Sequence, residues 1–236
     1  MSGRESGRLL ARRSFFSKLG VGLTAGGAAG LAASPAQAQS AEGGRWQPVR
    51  HAQDDWLDQI PGKHRFVLDA PTPEGFGNAL AFLNNFYNVN QGAYTLQDND
   101  LAVVLIARHL STLFAYNDAI WGKYGAPITQ RTNFNDPKTN QPPTVNLFNA
   151  GAYGAALPNR GNTLDSLIKR GLRLGVCQVS SRGNAAGIAM AIGATPDAIY
   201  NEMVANLVPN ARIVPAGIVA VNRAQERGYS FASVEL

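Results

Sequence analysis

The sequence predicts an α/β protein built on a small, mostly parallel sheet with helices on both faces and one long loop insertion. Three observations predict it. Residues 101–107 (Leu-Ala-Val-Val-Leu-Ile-Ala) are a continuous apolar run bounded by polar residues, as a strand buried on both faces of a parallel sheet reads. Leu172, Leu174 and Val176 alternate like a short strand between two helical stretches. The strand-like segments at 63–70, 101–107, 172–177 and 211–215 are each followed by a helical one, the rhythm of βαβ units.

The first 38 residues read as an export signal and not as part of that sheet. Ala-Arg-Arg-Ser-Phe-Phe-Ser-Lys (11–18) closely resembles a twin-arginine box: Arg12 and Arg13, then an apolar pair and a lysine. A soft Gly/Ala-rich run covers 19–33, and Ala36-Gln37-Ala38 is a small-x-small cleavage site. The expected mature chain starts near Gln39 and works in a bacterial periplasm. Residues 39–62 form an N-terminal extension, with a short helix near 54–59 that holds Trp56. Residues 63–236 form the α/β domain, with its insertion at 125–161.

The net charge of +5 invites a nucleic-acid reading, which the charge distribution removes. The first 38 residues carry five Lys/Arg against one Asp/Glu, and the remainder carries 16 against 15. A mature chain so balanced has no general attraction for phosphate backbones. No run is long and apolar enough for a lasting membrane helix once the signal is gone. One cysteine rules out an intrachain disulfide framework. One Cys and three scattered His give no metal-ligand pair at useful spacing, and no phosphate-cradling glycine loop appears, so neither metal nor cofactor is expected. No Gly-x-Ser-x-Gly elbow marks a serine hydrolase.

Along the domain, Asp69 falls at the carboxyl end of the first strand. Thr72-Pro73 then opens a helix as N-cap and first-turn proline, with Phe76, Ala79, Leu80, Leu83 and Phe86 at helical spacing. His64 stands at the opposite end of that strand, away from where ligands sit in such sheets. Arg108 and His109 lie just past the second strand. Ser111 or Thr112 is placed to cap a following helix that carries Phe114, Tyr116, Ile120 and Trp121. The insertion at 125–161 is rich in Asn, Pro, Gly and Thr, and a loop of this length is expected to be a lid, a subunit arm or disordered. A helix over 162–170 ends at Gly171, a left-handed C-cap. After Cys177 comes a polar turn, then helices at 184–192 and 196–207, the second opened by Thr195-Pro196. The last helix runs over 218–227 to Gly228, and 229–234 is a short edge strand.

Cys177 and His109 are the catalytic candidates, because parallel strands would bring both to one edge of the sheet, the carboxyl edge where ligands sit. For His109 the alternative is a histidine that only hydrogen-bonds the next turn. For Cys177 it is a buried thiol acting as a small hydrophobe. The helix that follows Cys177 offers partial positive charge, and Arg108 and Arg182 are the substrate-binding candidates.

Gly-Leu-Arg-Leu-Gly-Val-Cys (171–177), Val-Pro-Ala-Gly-Ile-Val (214–219) and Ala-Gln-Glu-Arg-Gly-Tyr-Ser-Phe (224–231) together are similar to the DsrE/DsrF-like family. The second strand, ending in His109, resembles that family's second strand. The resemblance spans roughly residues 65–234 without the insertion and is most specific in the C-terminal third. It implies a three-layer α/β fold and assembly as a homo-trimer or hexamer. It also implies sulfur transfer through a persulfide on Cys177, with His109 beside it and a sulfur donor or acceptor protein as partner. Persulfidation is a reversible thiol cap that needs no cofactor. The export signal, the N-terminal extension, the insertion and the more helical segment after Cys177 depart from the compact members. They leave a competing expectation, a non-catalytic periplasmic module that binds a small ligand or a protein on the same fold.

Overall fold

Seven consecutive buried residues make Leu101–Ala107 the middle of the molecule. An apolar strand with no exposed face needs neighbours on both edges and cover on both sides. The computed structural model describes residues 47–235 and supplies these. Strand β1 (His64–Ala70) lies on one side of β2 (Leu101–Ala107) and β3 (Arg173–Cys177) on the other. Strands β4 (Ala211–Val214) and β5 (Ser230–Ser233) take the two edges, in the order β4-β3-β2-β1-β5. All four pairings are parallel. The fold is α/β, with helices on both faces of the sheet.

Alternation along the strands divides the core in two. Leu68, Val103, Leu105, Ala107, Leu174 and Val176 face a large cluster, completed by helices α2 (Pro73–Tyr94), α3 (Asp118–Thr132), α4 (Leu164–Lys169), α5 (Gln178–Ile192) and α6 (Pro196–Ala205). Val67, Ala102, Val104, Ile106 and Val214 face a smaller one. Trp56 and Leu57 of α1 (Trp56–Gln59) cover it, together with Ala220, Val221 and Ala224 of α7 (Gly217–Glu226). The segment before β1 therefore supplies half of the second layer. The fully buried Arg227 side chain fastens it, pairing with Asp58 at 3.1 Å and Asp55 at 3.3 Å.

Three sequence expectations are corrected. A single helix from Ser111 or Thr112 to Trp121 does not form. Residues His109–Ala115 make 3-10 turns, the chain extends at Tyr116, and α3 begins after Asn117, whose side chain accepts from Ala119 N. The Ser111 hydroxyl accepts from the Arg108 N–H within that 3-10 segment and bonds the Ala70 carbonyl across the sheet edge, so it ties strands together and starts no α-helix. The polar stretch after Cys177 is not a turn but the first two turns of α5, and Cys177 is the N-cap. Its serines and Asn184 are compatible with helix because each has a partner outside or just before it. Lastly, 125–132 belongs to α3 and is not loop, and much of what remains of the insertion is packed. Phe134, Leu147, Phe148 and Leu157 join the main cluster against α2 and the 3-10 segment. Gly77 is needed there, since a Cβ would lie 2.7 Å from the Phe148 ring. The export segment, 1–38, lies outside the described residues.

Phe148 lies 4.6 Å from the Phe114 ring, 5.5 Å from Phe134 and 5.7 Å from Phe76. Phe148→Ala should cost about 3–5 kcal/mol in urea unfolding, as large-to-small changes of buried aromatics do. A loss under about 1 kcal/mol would mean the insertion is only draped on the domain.

Acid should loosen the same framework. Burial pushes Asp58 up, but hydrogen bonds from Arg65 and Arg227, with the charges of Arg227 and Arg50, outweigh it and hold the carboxyl below its ordinary 3.8. Hydrogen bonds from Lys123 and Tyr124 hold Glu202 below its ordinary 4.5. Carboxylates depressed in the folded state contribute stability that is present above the ordinary values and lost as pH falls through the lowered ones. The melting temperature should therefore drop below about pH 4.5, and Asp58→Asn should flatten that drop while lowering stability at neutral pH.

Candidate functional site

The chain changes faces between β3 and β4. From β3 it runs directly into α5 on the large-cluster face, and from β4 it runs through Pro215 and Ala216 into α7 on the other. Adjacent parallel strands whose connections part to opposite faces leave a crevice at their carboxyl ends, where ligands of such sheets bind. Cys177 stands at that point, paired in register with Val214.

Its sulfur caps α5. Sγ accepts from the Ser180 N–H at 3.4 Å, and the Cys177 carbonyl accepts from the Ser181 hydroxyl at 2.8 Å. That hydroxyl also meets the buried Tyr116 hydroxyl at 2.7 Å. The first turn of α5 is thus fixed from behind, and Cys177 is 5 % exposed.

Arg108 is brought beside it. The register Ala107↔Val176 places Arg108 and Cys177 side by side one step beyond the paired strands. Arg108 Nε and Nη2 grip the Asp69 carboxylate at 2.7–2.9 Å, a bidentate bond that leaves Nη1 free of it. That bond, foremost, holds the Arg108 guanidinium above its ordinary value against the effect of burial, and the charges of Asp69, Glu235 and Cys177 reinforce it. Gly217, the first residue of α7, touches the Arg108 stem: a Cβ there would lie 2.6 Å from Arg108 Cβ. The first turn of α5 thus meets the sulfur directly, while the Arg108 stem and the start of α7 pack together at the same edge of the sheet.

His109 reaches the same edge by its backbone. Its φ of 57° is in the left-handed region, which histidine tolerates better than most residues. The turn is held by the His109 N–H, which donates to Ser180 Oγ at 2.8 Å, and by its carbonyl, which accepts from Asn184 Nδ2 at 3.4 Å. The imidazole itself is exposed. Ser180 links the two candidates, with its N–H on Cys177 and its hydroxyl on His109. Arg182 is not brought to the sulfur. Its guanidinium lies 4.1 Å from the centre of the Tyr200 ring and pairs with Asp197 at 3.3 Å, both on α6.

Sequence reasoning missed Asp69 as the partner of Arg108, and Ser180, Tyr116 and Gly217 as the shell of Cys177. The Val-Pro-Ala-Gly turn was the signal for Gly217. The others carried none, because the side-chain contacts that place them are made with residues 39 or more positions away in sequence.

The insertion does not close over Cys177 as a lid. It forms one wall of a cleft of about 440 Å³ beyond the ends of β1 and β5, bounded by Thr72 and Glu74 of the α2 entry, 132–137, 156–158 and Glu235. Among the described residues no group of three or more His, Cys, Asp or Glu is placed to hold a metal ion, and no helix is long and apolar enough to cross a membrane.

No family model matches the chain, and no curated protein matches it. Among solved structures it is similar to MTH1491, a protein of unknown function from Methanobacterium thermoautotrophicum. The TM-score is 0.35 at 13 % identity, over 72 % of this chain and 99 % of that one.

Gly217→Ala should push α7 away from Arg108. The expected cost is about 1–3 kcal/mol, as for other overpacked sites, with faster native-state labelling of Cys177 by iodoacetamide. Unchanged stability and labelling would mean that α7 does not press on this site.

Proposed function

We propose that the chain is an exported sulfur carrier of the DsrE/DsrF-like kind, which holds sulfur as a persulfide on Cys177 in the periplasm, in a homo-oligomer, and passes it to a partner protein. The observation that carries this reading is the setting of the sulfur: it is the cap of α5, at the crevice between β3 and β4, beside Arg108 and the start of α7. A thiolate and a persulfide anion both gain from such a setting. The Cys177 thiolate attacks the outer sulfur of a persulfide donor, R–S–SH. A new S–S bond forms, the donor's S–S bond breaks, and R–S⁻ leaves. The proton stays with the transferred sulfur or passes to a base. His109, exposed at the same edge, is the group to take or return it. Arg108 Nη1 is the donor for the resulting anion. Delivery to an acceptor thiol repeats the exchange in reverse.

A specific observation favours the second reading, a non-catalytic module that binds a small ligand. The cleft beside α2 has the size of a small-molecule site, while Cys177 is 5 % exposed. The two readings part on one experiment. The native protein incubated with a persulfide donor should gain the mass of one sulfur atom, and Cys177→Ser should gain none. His109→Asn, which keeps a residue tolerant of the left-handed turn, should slow delivery to an acceptor thiol by about 10²-fold or more, the usual contribution of a positioned acid or base. A native Cys177 that takes up no sulfur would leave the binding module as the function.

A further inference from the structure

The cleft of about 440 Å³ is built from parts that the sulfur chemistry does not use. Its walls are held by close contacts. Gly75 admits the Val234 carbonyl, which would lie 2.1 Å from a Cβ, and Gly77 admits Phe148 and Pro158. Phe134 is locked in place by Phe114 at 4.9 Å and Phe148 at 5.5 Å and presents an aromatic wall, which Leu157 and three prolines extend. The polar lining is lopsided. Glu74 and Glu235 contribute two carboxylates, and among the described residues no Lys, Arg or His lines the cleft. The Glu74 carboxylate and the Asn133 and Asn135 side chains accept no hydrogen bond from the described residues and make no ion pair with them.

Anions are disfavoured there. Of the first N–H groups of α2, that of Pro73 does not exist, and those of Gly75 and Phe76 are taken by the Thr72 hydroxyl and carbonyl. Glu74 already sets a negative charge in the first turn. A cation suits the same surroundings: two carboxylates attract it, amide oxygens accept from it, and an aromatic face adds cation–π attraction. The geometry points to a binding site for a small organic cation, an amine on an apolar body, whose charged end meets Glu74 and Glu235 while its body lies against Phe134 and Leu157. This names the ligand class of the binding-module reading and does not depend on Cys177.

The test uses the full-length chain and three isosteric probes, 2-phenylethylamine, 2-phenylethanol and phenylacetate, titrated by calorimetry and followed in NMR shifts. The amine should bind best and the carboxylate worst. Glu74→Gln with Glu235→Gln should weaken the amine by at least about tenfold, as the loss of charge-assisted contacts predicts, and leave the alcohol unchanged. Phe134→Leu should weaken amine and alcohol alike, with circular dichroism confirming the fold of each variant. Cys177→Ser should bind the amine as the parent does, so that a failed persulfide experiment and a failed amine experiment are told apart. Equal binding of amine and carboxylate, an amine affinity unmoved by the double Gln variant, or no binding of any probe would each overturn the assignment.

Discussion

Everything in this molecule follows from burying β2 on both faces. Seven apolar residues in one strand gain transfer free energy only if both sides are covered, at about 25 cal/mol per Å² removed from water. One face takes α2 to α6 and the packed part of the insertion. The other takes only α1 and α7, which are short. A chain that returns from β1 to β4 over one face must cross to the other to supply α7, and the crossing is where the connections after β3 and β4 part. The crevice at Cys177 is a consequence of that division of labour between the two layers.

The second layer explains why the segment before β1 matters. Helix α7 alone cannot cover Val67, Val104 and Ile106, so Trp56 and Leu57 complete the sheet's face. The layer is pinned by a buried guanidinium. Arg227, between Asp55 and Asp58, is far more than a surface ion pair, because losing its acidic partners would leave a desolvated charge.

The candidate chemistry and the candidate binding cleft share one edge of the sheet and are distinct in kind. At Cys177 the start of α5 meets the sulfur, and Arg108 stands at the same edge. Around Glu74 and Glu235, carboxylates gather on an aromatic wall. Asp69 and Arg108 lie between them in the strand order and neutralise each other. Arg131 at the end of α3 donates to Asn184, which in turn holds the His109 carbonyl. The end of α3 and the turn beside Cys177 are thereby joined through two side chains and a backbone carbonyl.

Read on its own, the sequence determined the α/β class, the strands, their parallel character and the placing of Cys177 and His109 at one edge. Apolar runs, alternation and the Thr-Pro and Gly caps are local signals, and local signals suffice where a segment's own pattern dictates its burial. It misjudged 178–184 and 111–117, where polar residues read as turn or cap, because the partners that decide their conformation come from distant strands and helices. Ser180 is helical with its hydroxyl on His109, and Ser111 sits inside a 3-10 turn with its hydroxyl on Arg108 and Ala70, not at the start of an α-helix. The insertion offered no periodicity, since it packs by single aromatic anchors and not by a repeating face. Which arginine stands beside Cys177 in the sheet was likewise a tertiary decision: register set Arg108 there, and Tyr200 drew Arg182 to α6. The acid-lined cleft, drawn from segments between 72 and 235, has no counterpart in any stretch of sequence, because only the folded chain brings its walls together.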